Sequence, residues 1–195
     1  RAAASPIVSR VVVATDDPEP IMKRFVELPG VGSVIGHGET KSSVRMESGI
    51  AADLRCVSDA EFPYALMYFT GSKAHNVALR GRAIKRKLTL NEYGLYRDGD
   101  SSDPTKNIAC ADEAAIYREL GMAYVEPEIR EDTGEVAAAE KNKLPDLITD
   151  NDLQGLLHLH TNWSDGSATI EEMARAAIAM GLKYLGITDH SQSAI

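Results

Sequence analysis

The stretch from Gly155 onward constrains the fold most. GLLHLHT (155–161) is a short apolar run, NWSDG (162–166) is turn chemistry, and residues 169–180 carry apolar side chains at helical spacing. Gly181 then breaks the pattern before a second apolar run, KYLGITDH (183–190). Thr169 and Glu172 have capping-box spacing, in which the two side chains satisfy free amides of the first helical turn. Strand, helix and strand in this order predict a right-handed βαβ unit, and therefore parallel pairing.

The same unit carries a candidate metal site. Alternate side chains of a strand share a face, so His158 and His160 are expected to point the same way. Asp165 follows in the loop, and Asp189 and His190 end the second strand. In a parallel α/β barrel these strand ends converge on one face. Mixed imidazole and carboxylate ligands suit Zn²⁺, Mn²⁺ or Fe²⁺. HxH, then SDG, then TDHS resembles the first two motifs of the PHP (polymerase and histidinol phosphatase) domain. That resemblance implies a distorted α/β barrel, a multinuclear Zn²⁺/Mn²⁺ centre that hydrolyses phosphoesters, and a ligand role for His158, His160, Asp165 and His190. The later ligands of the family fall outside these residues.

The whole chain is acidic, with a net charge of −8, yet Lys73, His75, Arg80, Arg82, Lys85, Arg86 and Lys87 crowd into one segment without an intervening acid. A local basic footprint can serve phosphates on an acidic protein; the alternative is a solvated helix face. No apolar run is long enough to span a bilayer. Cys56 and Cys110 are far apart and form no CxxC, which fits a reducing, cytoplasmic setting. RAAASPIVSR at the start has no initiator Met and no signal-peptide core, and is read as an internal start.

Further along the chain, residues 11–14 read as a strand and IMKRFVEL as a short amphipathic helix. VGSVIGHGETKSSVRM and IAADLRCVS read as a pair of strands about the Glu47–Gly49 turn. Residues 62–88 are expected to be helical with a break at TGS. LTLNEYGLYRDGD reads as one strand and an acidic turn, and ADEAAIYRELGM as a helix closed by Gly121. Residues 126–152 hold few large apolar side chains, many charges and two prolines, and are read as a linker or a layer packed between domains.

The central segment YFTGSKAHNVALRGRA, with LNEYGLY after it, resembles the thumb of family X DNA polymerases. The resemblance implies that Tyr68, Phe69 and Gly71 contact the sugar of an incoming deoxynucleoside triphosphate. It further implies that Asn76 reads the minor-groove edge of the nascent pair and that Arg80 touches the template strand, with Lys85 among the basic residues that meet phosphates. GETK resembles the palm segment that holds the primer backbone, through Thr40 and Lys41. Asp53 in IAADLRCV matches the third catalytic aspartate, a ligand of Mg²⁺ (or Mn²⁺), with Arg55 on the same strand face. LPGVG (28–32) resembles the turn of a helix-hairpin-helix DNA-binding motif, but a helix-to-strand turn of the palm accounts for it better.

The family's DxD pair is missing. Laying VVVAT over the pattern puts Val8 and Arg10 where the two aspartates belong. Asp16 and Asp17 are adjacent and would face opposite ways on a strand, so they do not substitute. One carboxylate cannot hold two Mg²⁺ ions.

The expected fold is therefore α+β: a palm remnant with a mixed or antiparallel sheet (1–60), a thumb (61–125), a linker (126–153) and the first βαβ unit of a PHP barrel (154–195). The expected parent is a bacterial-type family X polymerase that fills gaps in DNA repair and carries a PHP phosphoesterase or 3′–5′ exonuclease. This segment is expected to bind gapped or primer-template DNA as a monomer while being catalytically incomplete. The rival readings are a stand-alone PHP phosphoesterase and a non-catalytic DNA-binding module.

Overall fold

A computed structural model of the chain describes residues 8–97 and 101–193. The start of RAAASPIVSR (1–7) and the first part of the acidic turn (98–100) lie outside the described residues. The chain divides into two compact units, Arg1–Leu144 and Pro145–Ile195.

The first unit opens with β1 (Val8–Ala14), α1 (Glu19–Val26), β2 (Val31–His37), β3 (Lys41–Met46) and β4 (Ala51–Val57). They form a mixed sheet in the order β1-β4-β3-β2, with β1 and β4 parallel and the other pairs antiparallel. Residues 31–46, expected as one strand, are a hairpin. Gly38 N–H donates to the Lys41 carbonyl at 2.9 Å, and a Cβ on Gly38 would stand 3.1 Å from that oxygen, a tight contact that a glycine avoids. Alternation then sorts β4. Leu54 and Cys56 pack with Met22 of α1, while Asp53 and Arg55 take the opposite face. One sheet face is thus core, and the other is free to carry chemistry.

A second core follows, built by α2 (Phe62–Thr70), α3 (Lys73–Lys85), the hairpin β5 (Leu88–Asn91) and β6 (Gly94–Arg97), and α4 (Glu113–Glu119). Tyr64, Met67, Leu79, Leu90, Leu95, Ile116, Tyr117 and Leu120 are its buried members, and the Tyr64 hydroxyl donates to the Ile108 carbonyl. LTLNEYGLYR, expected as a single strand, folds back on itself. The Asn91 side chain accepts from the amides of Tyr93 and Gly94, at 2.9 and 3.0 Å, and closes a two-residue turn. A Cβ at Gly94 would meet the Asn107 side chain at 2.7 Å, so the close approach depends on glycine.

Residues 126–144 pack onto this core. Arg130 is buried: its Nε donates to the Val125 carbonyl at 2.9 Å, its Nη1 bonds Glu113 at 2.7 Å, and its guanidinium lies over the rings of Tyr117 and Tyr124. In α5 (Glu135–Glu140), Glu135 accepts from His75 Nδ1 at 2.6 Å. Composition pointed to a linker because the large buried members of this segment, Arg130 and Glu135, are charged, and their burial is offset by partners such as Glu113 and His75.

The second unit is β7 (Gly155–Leu159), α6 (Ile170–Ala179) and β8 (Tyr184–Ile187), with β7 and β8 parallel as the spacing predicts. The capping box forms: Thr169 Oγ1 accepts from Glu172 N–H at 3.2 Å, and Glu172 accepts from Thr169 N–H at 2.8 Å. β7 ends two residues before the expected Thr161. His158 has φ +62°, outside extended geometry, and the register shifts between Leu156 and Leu159.

Candidate functional sites

The first site is a cleft where the free face of the mixed sheet meets α2 and the β5–β6 turn. In-register neighbours face the same side, so β1, β4 and β3 bring two rows together. One is Arg10, Asp53 and Ser43; the other is Val12, Arg55 and Lys41. Arg10, Lys41, Asp53, Arg55, Tyr68, Phe69 and Glu92 line a shared cavity of about 240 Å³. Tyr68 and Phe69 pack edge to face with centroids 5.0 Å apart. Arg55 lies 5.7 Å from the Phe69 centroid and donates to the Tyr93 hydroxyl at 3.2 Å, so its position is fixed from both sides.

α2 must end abruptly to leave Tyr68 and Phe69 at this wall. Gly71 adopts φ +78°, and Ser72 caps α3 by accepting from the His75 amide at 3.3 Å. The Gly71–Ser72 peptide is cis. Tyr68, Asn76 and Arg80 meet in a neighbouring depression with Asn91. Asn76 Nδ2 donates to the Tyr68 carbonyl at 2.7 Å, and the Arg80 guanidinium lies 5.7 Å from the Tyr68 centroid. The cleft thus gathers Lys41, Asp53, Tyr68 and Phe69. Thr40, on the exposed β2–β3 turn, and Lys85, exposed at the end of α3, stand away from it.

The basic segment splits in two. Arg82 pairs with Glu140 at 2.8 Å and donates to the Leu120 carbonyl, and His75 is fully buried. Arg80, Lys85, Arg86 and Lys87 are exposed and available to a polyanion.

The buried pair beneath this wall is electrostatically asymmetric. Desolvation pushes the His75 pKa below its usual range despite the neighbouring carboxylate. Desolvation opposes the ionised form of Glu135 too, but the His75 bond and the amides of Asp132 and Thr133 overcome it and hold its pKa below the usual carboxylate range. His75 is therefore neutral: Nδ1–H donates to Glu135, and Nε2 accepts from the Tyr117 hydroxyl at 2.8 Å. Sequence reasoning placed His75 among surface cations; its spacing to Leu79 and Ala83 on the buried side of α3 is the signal that marks it as internal.

The second site lies at the β7 and β8 ends. Donor atoms of His160, Asp165 and His190 all lie within 4.8 Å of one another. His160 Nδ1 is 2.9 Å from one Asp165 oxygen, and His190 Nε2 is 3.6 Å from the other. A tetrahedral ion with ligands at about 2.1 Å would hold its donors about 3.4 Å apart, so these three fit one ion with small side-chain shifts. His158 does not join them. Its ring stacks beside that of His160, with centroids 5.1 Å apart, but its positive φ breaks the alternation that would have aimed both rings at one point.

Asp189, named with the candidate metal site but given no ligand role by the resemblance, organises the loop. It accepts from Thr161 N–H at 2.5 Å, from Thr161 Oγ1 at 2.6 Å and from Ser164 Oγ at 2.7 Å. The Thr161 bonds hold its pKa below the usual carboxylate range. Among the described residues, this is the one place where three or more His, Cys, Asp or Glu side chains converge.

Known proteins match both regions. Residues 65–131 match the DNA polymerase beta thumb family, and residues 157–193 match the PHP domain family. The DNA polymerase/3′-5′ exonuclease PolX of Bacillus subtilis (strain 168) is 38% identical over 183 residues, 93% of this chain and 31% of that protein. Human DNA-directed DNA/RNA polymerase mu is 34% identical over 102 residues, 51% of this chain and 19% of that protein. A crystal structure of Leishmania infantum polymerase beta, in a ternary P/T complex, shares the fold with a TM-score of 0.52 at 23% identity, covering 64% of this chain and 60% of that one.

The central segment is therefore of the polymerase-beta thumb type, beside a mixed sheet, and the C-terminal segment is of the PHP type. The chain is thus similar over 93% of its length to a family X DNA polymerase that carries a PHP domain, and it spans 31% of the length of that B. subtilis relative. Both families use divalent metal ions.

Proposed function

We propose that the chain is the palm–thumb part of a gap-filling DNA repair polymerase, joined to the start of its PHP phosphoesterase or 3′–5′ exonuclease. The observation that carries this reading is the cleft, where Lys41, Asp53 and Arg55 on the sheet face Tyr68 and Phe69 across about 240 Å³. The palm would comprise residues 1–60, the thumb 61–125 and the PHP part 154–195; of the expected linker 126–153, residues 126–144 pack onto the thumb core. In this arrangement Tyr68, Phe69 and Gly71 hold the sugar of an incoming deoxynucleoside triphosphate, and Asn76 meets the nascent pair. Arg80 and Lys85 meet template phosphates, and Thr40 and Lys41 meet the primer backbone. Asp53 is the carboxylate nearest the primer 3′-OH.

Nucleotidyl transfer by two Mg²⁺ (or Mn²⁺) ions requires several oxygen ligands. The cleft offers Asp53 and Glu92 beside three cations, so the residues present do not suit a two-ion centre. The chain by itself is a binder of gapped or primer-template DNA. In the PHP part, His160, Asp165 and His190 would hold one Zn²⁺ or Mn²⁺, with His158 beside them. Such an ion activates water for phosphoester hydrolysis. Here Asp189 holds the SDG loop against the β7 end so that its carboxylate ligand stays beside His160. The free, buried Cys56 and Cys110 fit a reducing cytoplasm, and the chain is taken as a monomer.

Fluorescence anisotropy with labelled gapped DNA tests the reading. Affinity should fall steeply as salt rises, because phosphate contacts release counterions. Binding that is absent at low salt, or indifferent to salt, would overturn it.

A further inference from the structure

The cleft sets an arginine directly beside the sheet carboxylate Asp53. Parallel pairing sets Arg10 of β1 in register with Asp53 of β4, and antiparallel pairing sets Lys41 of β3 in register with Arg55. Arg10, Arg55 and Lys41 therefore flank Asp53 on one sheet face, and all four line the same cavity. Arg55 is held in place by Tyr93 and by the Phe69 ring. An arginine keeps its charge at any pH a protein tolerates and presents a fork of donors matched to phosphate oxygens. Three cations against Asp53 and Glu92 repel a second cation and attract an anion. The cavity, about 240 Å³, is smaller than the usual 300–1,000 Å³ of small-molecule pockets and suits a phosphate group with part of its sugar.

We infer that this cleft is a metal-independent phosphate site in which Arg10, Lys41 and Arg55 take over the charge neutralisation that divalent ions would supply. The phosphate comes either from the polyphosphate of a nucleotide or from a DNA strand end. The inference rests on the polymerase reading for the source of that phosphate. The geometry alone carries the preference for an anion.

Binding measurements on the full 195-residue chain at fixed ionic strength test it. One arm titrates a deoxynucleoside triphosphate, and the other a gapped DNA bearing a 5′-phosphate, each with EDTA and with Mg²⁺. At least one ligand should bind equally well in EDTA, and the arm that does so identifies the source. Arg10→Ala should weaken that binding about tenfold, as expected for losing a charge-assisted contact. Arg10→Asp should weaken it further in EDTA and make binding respond to Mg²⁺. Arg10 is exposed, so both variants should unfold at the wild-type temperature. Loss of all binding in EDTA, or Arg10→Ala binding like the parent, overturns the inference. Arg80→Ala separates this failure from failure of the polymerase reading. If Arg80→Ala weakens gapped-DNA binding while Arg10→Ala does not, the DNA-binding reading stands and the phosphate site falls.

Discussion

The two candidate sites are built in opposite ways. The cleft rests on two packed cores and a buried polar network, but its charged lining is three cations against two carboxylates. The β7–β8 site brings imidazole and carboxylate donors together on a thin scaffold, whose Leu157 and Ile178 are 70% and 75% exposed. Parallel strands ordinarily have both faces covered. A site needs both the right donors and a body that holds them. Here each region supplies a different one of the two.

The largest expected effect falls on the packed region. His75 is fully buried between Glu135 and Tyr117, and it ties α3 to the residues after α4. His75→Ala leaves a desolvated carboxylate short of a partner and opens a cavity. About 3 kcal/mol of stability should be lost, measured by denaturant unfolding of the full chain. The pH dependence follows in sign. His75 has a folded pKa below its usual 6.5, so the unfolded chain binds the extra proton, and stability falls as pH drops below about 6.5. Glu135 has a folded pKa below its usual 4.5, so its contribution is present above 4.5 and is lost as pH falls further. Both act in the same direction. His75→Ala should remove the upper phase of acid destabilisation and leave the lower one. An unchanged profile between pH 7 and 5 would mean that the network is not the acid-sensitive element.

The next effect falls on the thin region. Asp189 touches Thr161 and Ser164 and so holds the loop that carries Asp165. Asp189→Asn should lower Zn²⁺ or Mn²⁺ affinity by about 10–100-fold, the usual cost of losing an orienting partner behind metal ligands. Asp165→Asn should abolish the binding. Equilibrium dialysis separates the two, and equal affinity in Asp189→Asn and the parent would show that the loop holds itself.

The sequence was most legible where chemistry and local structure coincide. YFTGS announced a helix break because Gly71 must take a positive φ, and the Thr169–Glu172 box fixed the start of α6. The β2–β3 and β5–β6 hairpins were read through as single strands. Their turns rest on Gly38 meeting a carbonyl and on Asn91 accepting two amides, and neither is an Asn-Gly or Asp-Gly signal. Residues 126–144 were hidden for another reason. Arg130 and Glu135 look like solvent-facing charges until Glu113, Tyr117 and His75, all more than ten residues away in sequence, are brought around them together with Tyr124. His158 shows the limit of strand alternation, since one residue with positive φ removes a ring from a constellation that period-two reasoning would complete.

The smallest effect sharpens the contrast between the units. With so much of the second unit exposed, local terms weigh more there than in the packed core. The cap of α6 is such a term, since Thr169 Oγ1 accepts from the Glu172 amide and Glu172 returns the bond to Thr169 N–H. Thr169→Ala should cost about 1 kcal/mol. The exposed Glu171–Arg175 pair, at 2.7 Å and one helical turn apart, should contribute no more than about 0.5 kcal/mol. Amide hydrogen exchange along α6 in the full chain reads both directly. Protection should fall by about fivefold in Thr169→Ala and by less than half that in Glu171→Gln. If Thr169→Ala leaves exchange in α6 unchanged, tertiary contacts rather than the cap set the stability of the helix, and the second unit is less thinly supported than its exposed faces imply.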